Sequence, residues 1–476
     1  MSHVTTTDLY EATMALSYLR EDMTRQATFS LFVRDLPPGR GFLVSAGLEP
    51  VLDFLADFEV TQDDARDFAS ALGRGPRDVR PLVGLRFDGE VRAVPEGRVV
   101  LSGEPLLEVT APLPQAQMVE TWLLSQVSHQ TTVASKAARC VLAAADHPVI
   151  DFSLRRGHGP EAGMQAARVC ALVGFAGTSN VAGALRWRTR ASGTMAHSYI
   201  EAFGDEEAAF LAFARSAPGP VTFLVDTYDT ADGVMTAARV LNTLRRGDGC
   251  AVRLDSGDLA DLARRSRALL DRSGLPDVAV IASGGLDEYR IDHLVRSDAP
   301  IDVYAVGTKV GTSSDAPYLD SAYKLVEYDG VPVMKLSAAK VTAPGRKQIL
   351  RADGLDDVVA LADEEVPEGR EPVLRKVMSA GRRIAEPDTL AAAHQRFLRD
   401  LAALPRRARR IHDPQPPLPV VSAPLAELTS RVRRRLEEDT GQRRARRAGR
   451  LDTDLSHAPS AAGPGGPVHE RSRRRQ

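Results

Sequence analysis

Residues 190–203, RASGTMAHSYIEAF, place an imidazole where a helix begins. Ser192 or Thr194 is suited to cap that helix, and Tyr199, Ile200 and Phe203 form its apolar face. His197 lies off that face, beside the backbone N–H groups that a first helical turn leaves free. Imidazole is nucleophilic at neutral pH, and free N–H groups at a helix start stabilise negative charge. Two readings follow: a capping or surface histidine, or a ring that handles an anion.

Other stretches bear on the choice. SGG at 283–285 and GTKVGTS at 307–313 are short glycine loops after apolar runs, where backbone N–H groups can approach phosphate with no side chain in the way. Each alone is as well explained by an ordinary turn; two after consecutive strands favour phosphate. RLDSGD sets Arg253 and Asp255 two residues apart at a strand end, pointing to one side. They suit an ion pair, or an anion-binding arginine with a metal- or ribose-binding carboxylate. VDTYDT offers Asp226 and Asp229, one of which helix capping explains. DFSLRRGHG supplies Phe152, Arg155, Arg156 and His158; Phe152 also suits a core.

The elements that must position these groups change character along the chain. Residues 7–20 suit a helix opened by Asp8, and ATFSLFVRDL, GFLVSAGL, RFDGEVRAV and PLLEVTAPL read as strands. Residues 116–145 have a helical pattern, as one broken helix or two in succession. From about 149, short β-branched runs ending in polar and glycine residues alternate with helices: VIDFSLRRGHG, VCALVGFAGTSN, VTFLVDTYDT, CAVRLDSGDL, VAVIASGGLDE and IDVYAVGTKVGTS. That grammar predicts a parallel sheet covered by helices, closed into an α/β barrel, with the polar residues on its C-terminal rim. An open doubly wound sheet lacks the GxGxxG expected at its first turn. The expected organisation is an N-terminal α+β sandwich over 1–115 joined by strands from 321–385, and a barrel over 116–320. A helical region follows over 386–438, then a disordered Arg-rich tail over 439–476.

Composition sets bounds. The chain has 476 residues, 43% apolar and 26% charged, which is ordinary for a globular protein with two or three domains. No apolar run reaches membrane-spanning length, and MSHVTTTDLY lacks the features of a signal peptide. Three dispersed cysteines argue against a disulfide framework and for a reducing compartment, so a cytoplasmic location is expected. Residues 441–476 hold nine arginines against three acids, a charge of +6, while the rest of the chain carries −8. That tail suits nucleic-acid phosphates but lacks interleaved aromatics, so a nucleic-acid partner is not expected.

The quoted motifs, with TDLYEATMA, SLFVRDLPPGRGF, GFAGTSNV and YKLVEYDGVPVMKLSAAKVTAPGRKQ, occur in an order that closely resembles the nicotinate phosphoribosyltransferase family. The resemblance runs from residue 7 to about 351 and more weakly to 438. It implies an irregular α/β barrel of the type II phosphoribosyltransferase kind and a homodimer with shared active sites. The implied reaction joins nicotinate to 5-phosphoribosyl 1-pyrophosphate, giving nicotinate mononucleotide and pyrophosphate for NAD salvage. It is coupled to ATP hydrolysis and uses Mg²⁺. By motif position, Tyr10 and Phe152 would sandwich the pyridine ring, and Thr194 and Arg253 would contact nicotinate, with Arg155 also binding substrate. Asp226 and Asp255 would lie near Mg²⁺ and ribose, while Gly284, Gly285, Gly307 and Thr308 would hold the ribose phosphate. Arg34, Lys335 and Lys347 would be basic candidates for pyrophosphate, and His197 would be the phosphorylated histidine. The related nicotinamide enzymes carry an acidic residue where this chain has Ser179, so the neutral hydroxyl favours the carboxylate substrate. The cysteine cluster some members carry after the barrel has no counterpart in this sequence.

Overall fold

The computed structural model describes residues 3–336 and 342–456. An antiparallel sheet of seven strands builds the N-terminal domain, in the order Val331–Pro332, Ser321–Tyr328, Gln26–Val33, Pro105–Pro112, Glu90–Ala93, Arg375–Ser379 and Arg382–Arg383. The two central strands of the first half, Gln26–Val33 and Pro105–Pro112, are buried along nearly their whole length. The Asp-Gly turn at 329–330 joins the Ser321–Tyr328 strand to Val331–Pro332. The chain therefore returns to its first domain after the barrel, because Ser321–Tyr328 and Arg375–Ser379 find their pairing partners there.

The second sheet has six parallel strands, in the order Gly177–Thr178, Val149–Asp151, Val303–Val306, Ala279–Ala282, Ala251–Leu254 and Thr222–Leu224. Side chains alternate between its faces. Val252, Leu254, Val280, Ala282, Tyr304 and Val306 join the main core under the covering helices. Ala251, Ile281 and Ala305 form a separate inner cluster with Ile150, Phe152, Ala279 and Val303. The barrel is irregular and incomplete rather than a closed ring, since the two end strands do not pair with each other. Helices Val181–Trp187, His197–Phe203 and Glu206–Ser216 intervene between those strands in the chain. The stretch VCALVGFAGTSN yields only the strand Gly177–Thr178, its first residues ending the helix Pro160–Leu172. There the apolar run serves a helix face, which periodicity over so few residues does not separate from a buried strand.

The 116–145 pattern is two helices in succession, Leu113–Met118 and Glu120–Ala144, broken at Val119. Helices Leu390–Ala403 and Ala423–Ser456 flank the PQPPLP stretch. The second of these continues past 438, and arginine and alanine are good helix formers. Residues 457–476 of the expected tail lie outside the described residues. No described helix is long and apolar enough to cross a membrane, and all three cysteines are buried free thiols.

A buried charge cluster ties the Leu390–Ala403 helix to the N-terminal domain. Asp400 Oδ2 lies 2.6 Å from Arg98 Nε and 2.9 Å from Arg351 Nη1, and accepts from Val99 N at 3.0 Å. Arg351 also reaches Asp357 at 2.7 Å. Burial, and then the neighbouring Asp357, raise the pKa of the Glu104 carboxyl well above its usual range. Neutralising Asp400 would leave two buried guanidinium groups short of their shared anion. Asp400→Asn is expected to destabilise the fold by about 3–5 kcal/mol. Urea unfolding followed by circular dichroism measures this, and an unchanged midpoint would show the cluster to be dispensable.

Candidate active site

Parallel strands end on one rim, and the loops leaving those ends are held to one another by hydrogen bonds. Asp151, fully buried, accepts from Ser153 N at 2.8 Å and from the Thr178 hydroxyl at 2.6 Å. Ser179 N donates to Asp151 O at 2.8 Å, so the GTSN turn is pinned beside the DFSLRR turn, with the Ser179 side chain exposed. Asp226, at the end of the Thr222–Leu224 strand, accepts through Oδ2 from Asp255 N at 3.0 Å and from Ser256 Oγ at 2.9 Å. Asp255 Oδ1 accepts in turn from Ser283 Oγ at 2.6 Å, in the loop after the next strand. Three successive rim loops are thereby linked by carboxylates.

Arg253 is 7% exposed and points to the inner face, its guanidinium 5.8 Å from the centre of the Phe152 ring. Nη2 makes a long contact of 3.5 Å with Met195 O, and Nε has no partner. Burial lowers its pKa and Asp255 and Asp226 oppose that, so the group stays a cation in a half-dry setting. Arg155 and Arg156, in the turn Leu154–Arg156, are exposed, and neither guanidinium has an ion-pair partner among the described residues. A cation over an aromatic face, with Arg155 near enough to act on its charge, suits a planar ring that carries negative charge.

His197 is the first residue of the helix His197–Phe203. The cap is Ala196, with no side-chain hydrogen bond. The Thr194 hydroxyl donates instead to Met195 O, and Ser192 is held by its backbone beside Thr178. The expected cap is therefore absent, because the strand-like run before the helix binds those residues elsewhere. His197 Nδ1 lies 3.1 Å from the Thr227 hydroxyl, and Nε2 lies 4.0 Å from Asp226 Oδ1. That carboxylate oxygen has no hydrogen-bond partner, although the side chain is only 3% exposed. The His197 side chain itself is 39% exposed.

Gly284 and Gly285 both have positive φ, +87° and +68°. A Cβ on Gly284 would sit 1.7 Å from Asp255 O, so only glycine fits between these loops. Gly307 precedes the short helix Thr308–Gly311, and a Cβ there would lie 3.0 Å from Phe152 O. Thr308 is exposed at the start of that turn. The two strands before these loops are adjacent and parallel, Ile281 beside Val303, so both loops leave the same end of the sheet. Lys309 Nζ joins them, 2.6 Å from Asp287 Oδ2.

Some expected residues stand elsewhere. Tyr10 is exposed on the helix Leu9–Arg20, its phenol beside Glu120, and makes no ring contact or hydrogen bond with Phe152 or Arg253 of its own chain. Lys347 is 4% exposed, 3.5 Å from Glu108, and donates to Gly345 O at 2.8 Å. It is closed to pyrophosphate, because the sheet that contains it buries its ammonium beside a carboxylate. Arg34 is paired with Asp320, while Lys335 is exposed. Asp229 caps the helix Thr230–Leu244, which leaves Asp226 as the carboxylate on the rim. Thr227, Ser256, Ser283 and Asp151 were missed as site residues, although all four lie inside or beside the motifs that flagged the site.

The fit to a divalent cation rests on Asp226. Among the described residues no group of three or more His, Cys, Asp or Glu is arranged around a metal. One orphaned, buried carboxylate oxygen suits Mg²⁺, which keeps waters and takes further oxygens from a phosphate substrate. A cavity of about 940 Å³ lies apart, between Trp122, Met164, Arg168, Trp187 and His394, and contains none of these rim groups. The unpaired polar atoms, not the size of a void, mark the chemistry.

Residues 5–128 match the family model of the nicotinate phosphoribosyltransferase (NAPRTase) N-terminal domain. The chain is 45% identical over 414 residues to the nicotinate phosphoribosyltransferase pncB2 of Mycobacterium tuberculosis, which covers 86% of this chain and 89% of that relative. The chain belongs to the nicotinate phosphoribosyltransferase family. The Bacillus subtilis nicotinate phosphoribosyltransferase is 41% identical over 76% of each chain. The crystal structure of human nicotinic acid phosphoribosyltransferase superposes with a TM-score of 0.79 at 29% identity, covering 90% of this chain and 99% of the human one. Gly284→Ala forces a positive φ on alanine against the Asp255 carbonyl, a strain of about 1–3 kcal/mol that the loop relieves by moving. A rise on the order of tenfold or more in KM for the phosphoribosyl substrate is expected in steady-state kinetics. Wild-type KM would show that this loop does not touch that substrate.

Proposed function

We propose that this chain joins nicotinate to 5-phosphoribosyl 1-pyrophosphate, forming nicotinate mononucleotide and releasing pyrophosphate, in NAD salvage in the cytoplasm. The pyridine nitrogen attacks ribose C1 as the C1–O bond to pyrophosphate breaks, through a state with cationic character on the sugar. The single observation that carries the reading is the Arg253 guanidinium over Phe152, half-dry and with an unpartnered Nε, on the same rim as two glycine loops. The arginine answers the carboxylate of nicotinate, with Arg155 and Thr194 near it; Phe152 presents one face to the ring. The backbone of Gly284, Gly285, Gly307 and Thr308 takes the 5-phosphate. Asp226 and Asp255 would hold Mg²⁺, which when bound neutralises charge on the departing pyrophosphate.

ATP is the proposed co-substrate. With Nδ1–H donating to the Thr227 hydroxyl, the Nε2 lone pair of His197 is free to attack the γ-phosphorus of ATP, and ADP leaves. Water later cleaves the N–P bond and releases phosphate. A phosphoryl group on Nε2 stands close to Asp226 Oδ1, which gives the cation a reason to sit there. The second wall of the ring slot is proposed to be Tyr10 of a second copy, in a homodimer with shared sites. The exposed Leu9 and Tyr10, without contact to their own rim, support this.

The direct test is formation of pyridine nucleotide from nicotinate and from nicotinamide, with and without ATP. Nicotinate is expected to be used far better, and more so with ATP. Equal use of the amide would overturn the substrate assignment. In the same assay Ser179→Asp places a carboxylate near that of nicotinate, which in a partly dry pocket costs on the order of a few kcal/mol. Nicotinate use should therefore fall by on the order of a hundredfold while nicotinamide use changes little. Equal loss with both would mean that Ser179 does not face the ring.

His197→Ala is expected to lose ATP hydrolysis and acid-labile labelling from γ-labelled ATP, yet to keep synthesis at high phosphoribosyl pyrophosphate. A variant that still hydrolyses ATP in step with product would return His197 to a positioning role. Mixing inactive Tyr10→Ala and Arg253→Ala subunits should restore part of the activity; no recovery after confirmed exchange would sink the shared site.

A further inference from the structure

Behind the two glycine loops lies a buried group of charges that the reaction itself does not use. Lys136 sits in the helix Glu120–Ala144, its side chain 1% exposed. Its ammonium is 2.5 Å from Glu288 Oε2 and 2.7 Å from Asp315 Oδ1. Glu288, itself fully buried, opens the helix that follows the SGG loop, and its other oxygen is 2.9 Å from Arg139 Nε. Asp315 follows GTKVGTS, and Arg40 holds it from the far side at 3.1 Å. Burial opposes the charge on Lys136, and Glu288 with Asp315 more than offsets it, so the amine is held above its ordinary pKa.

The consequence is geometric. One ammonium touches Glu288, which opens the helix after the SGG loop, and Asp315, which follows GTKVGTS. A second tie, Lys309 to Asp287, joins the same two segments. Between them Ser313 adopts a positive φ of 43°, a conformation that a serine keeps only when held, and Arg40 Nη2 donates to its hydroxyl at 3.1 Å. Two loops that must present N–H groups to one phosphate need a fixed separation, because hydrogen bonds weaken steeply with misplacement.

We propose, resting on the phosphoribosyl reading of these loops, that Lys136 is a positioning residue for the 5-phosphate site: through Glu288 and Asp315 it sets the distance between the two glycine loops. It touches no substrate.

The test combines kinetics with hydrogen exchange on the full chain. Lys136→Met removes the tie while keeping the length and apolar stem of the side chain. KM for phosphoribosyl pyrophosphate is expected to rise about tenfold or more, with kcat and KM for nicotinate changing by less than about threefold. Amides of 283–288 and 307–315 should exchange faster in the variant without substrate, while those of the strands Ala279–Ala282 and Val303–Val306 hold their wild-type rates. If Lys136→Met does not fold, Asp315→Asn, whose side chain is 23% exposed, cuts the same tie from its more open end and should show the same pattern. Faster exchange spread evenly over both sheets, or unchanged loop exchange with unchanged KM, would overturn the proposal. Absence of phosphoribosyl transfer in the wild type would instead remove the reading of the site, and loop exchange alone would then decide whether Lys136 couples the loops.

Discussion

A cation in the dry centre of a protein is stable only with an anion against it, since desolvation costs several kcal/mol per ion. The helix Glu120–Ala144 carries two such cations, Lys136 and Arg139, and nearly all of its last three turns are buried. The fold is arranged around that demand. The barrel supplies Glu288 and Asp315, and the N-terminal domain sends in Arg40 to share Asp315. Glu96 meets Arg168 of the barrel helix Pro160–Leu172 in the same manner, while also accepting from Gly47 N and Leu48 N. Asp400 performs this service between Arg98 and Arg351. Domains that share buried ion pairs in this way hold a fixed relative position, because parting them would strand charges.

On the rim, by contrast, several charged groups lack ion-pair partners of their own at close range among the described residues. Asp226 Oδ1 and Arg253 Nε are buried without partners, and Arg155 and Arg156 stand free. Unpaired buried polar atoms cost free energy, and a ligand entering the rim can pair these two. The proposed substrate carboxylate, phosphate and divalent cation would supply partners of the right sign. The carboxylate chain from Asp226 to Asp255 N, and from Asp255 to Ser283, fixes the rim loops before any ligand arrives. Preorganisation of that kind is what a reaction with transient positive charge on a sugar requires.

Much of the site was legible along the chain because its residues follow strands. A short β-branched run, a polar residue two positions on and a glycine turn mark a rim loop wherever they recur, and Phe152, Asp226, Arg253, Asp255, Gly284 and Gly307 were all found by that mark. The hydroxyls of Thr178, Thr227 and Ser283 were not. They act by bonding residues that lie 27 to 30 positions away, and local periodicity carries no information over such a span.

The sequence by itself determined the parallel strand-helix alternation, the return of the chain to its first domain, the glycine loops and the resemblance to a family of phosphoribosyltransferases. Each rests on periodicity or on residue types within a few positions, where backbone sterics dominate. Only the tertiary structure decided which charges are free and which are spoken for. Asp229 is a helix cap and Asp226 a rim carboxylate; Lys347 is sealed beside Glu108, while Arg155 is open. Lys136, an unremarked residue in an alanine-rich helix, sits between the loops that follow two different strands. A charged side chain looks alike everywhere in a sequence, and its role depends on its neighbours in space. Those neighbours are fixed by packing over the whole chain.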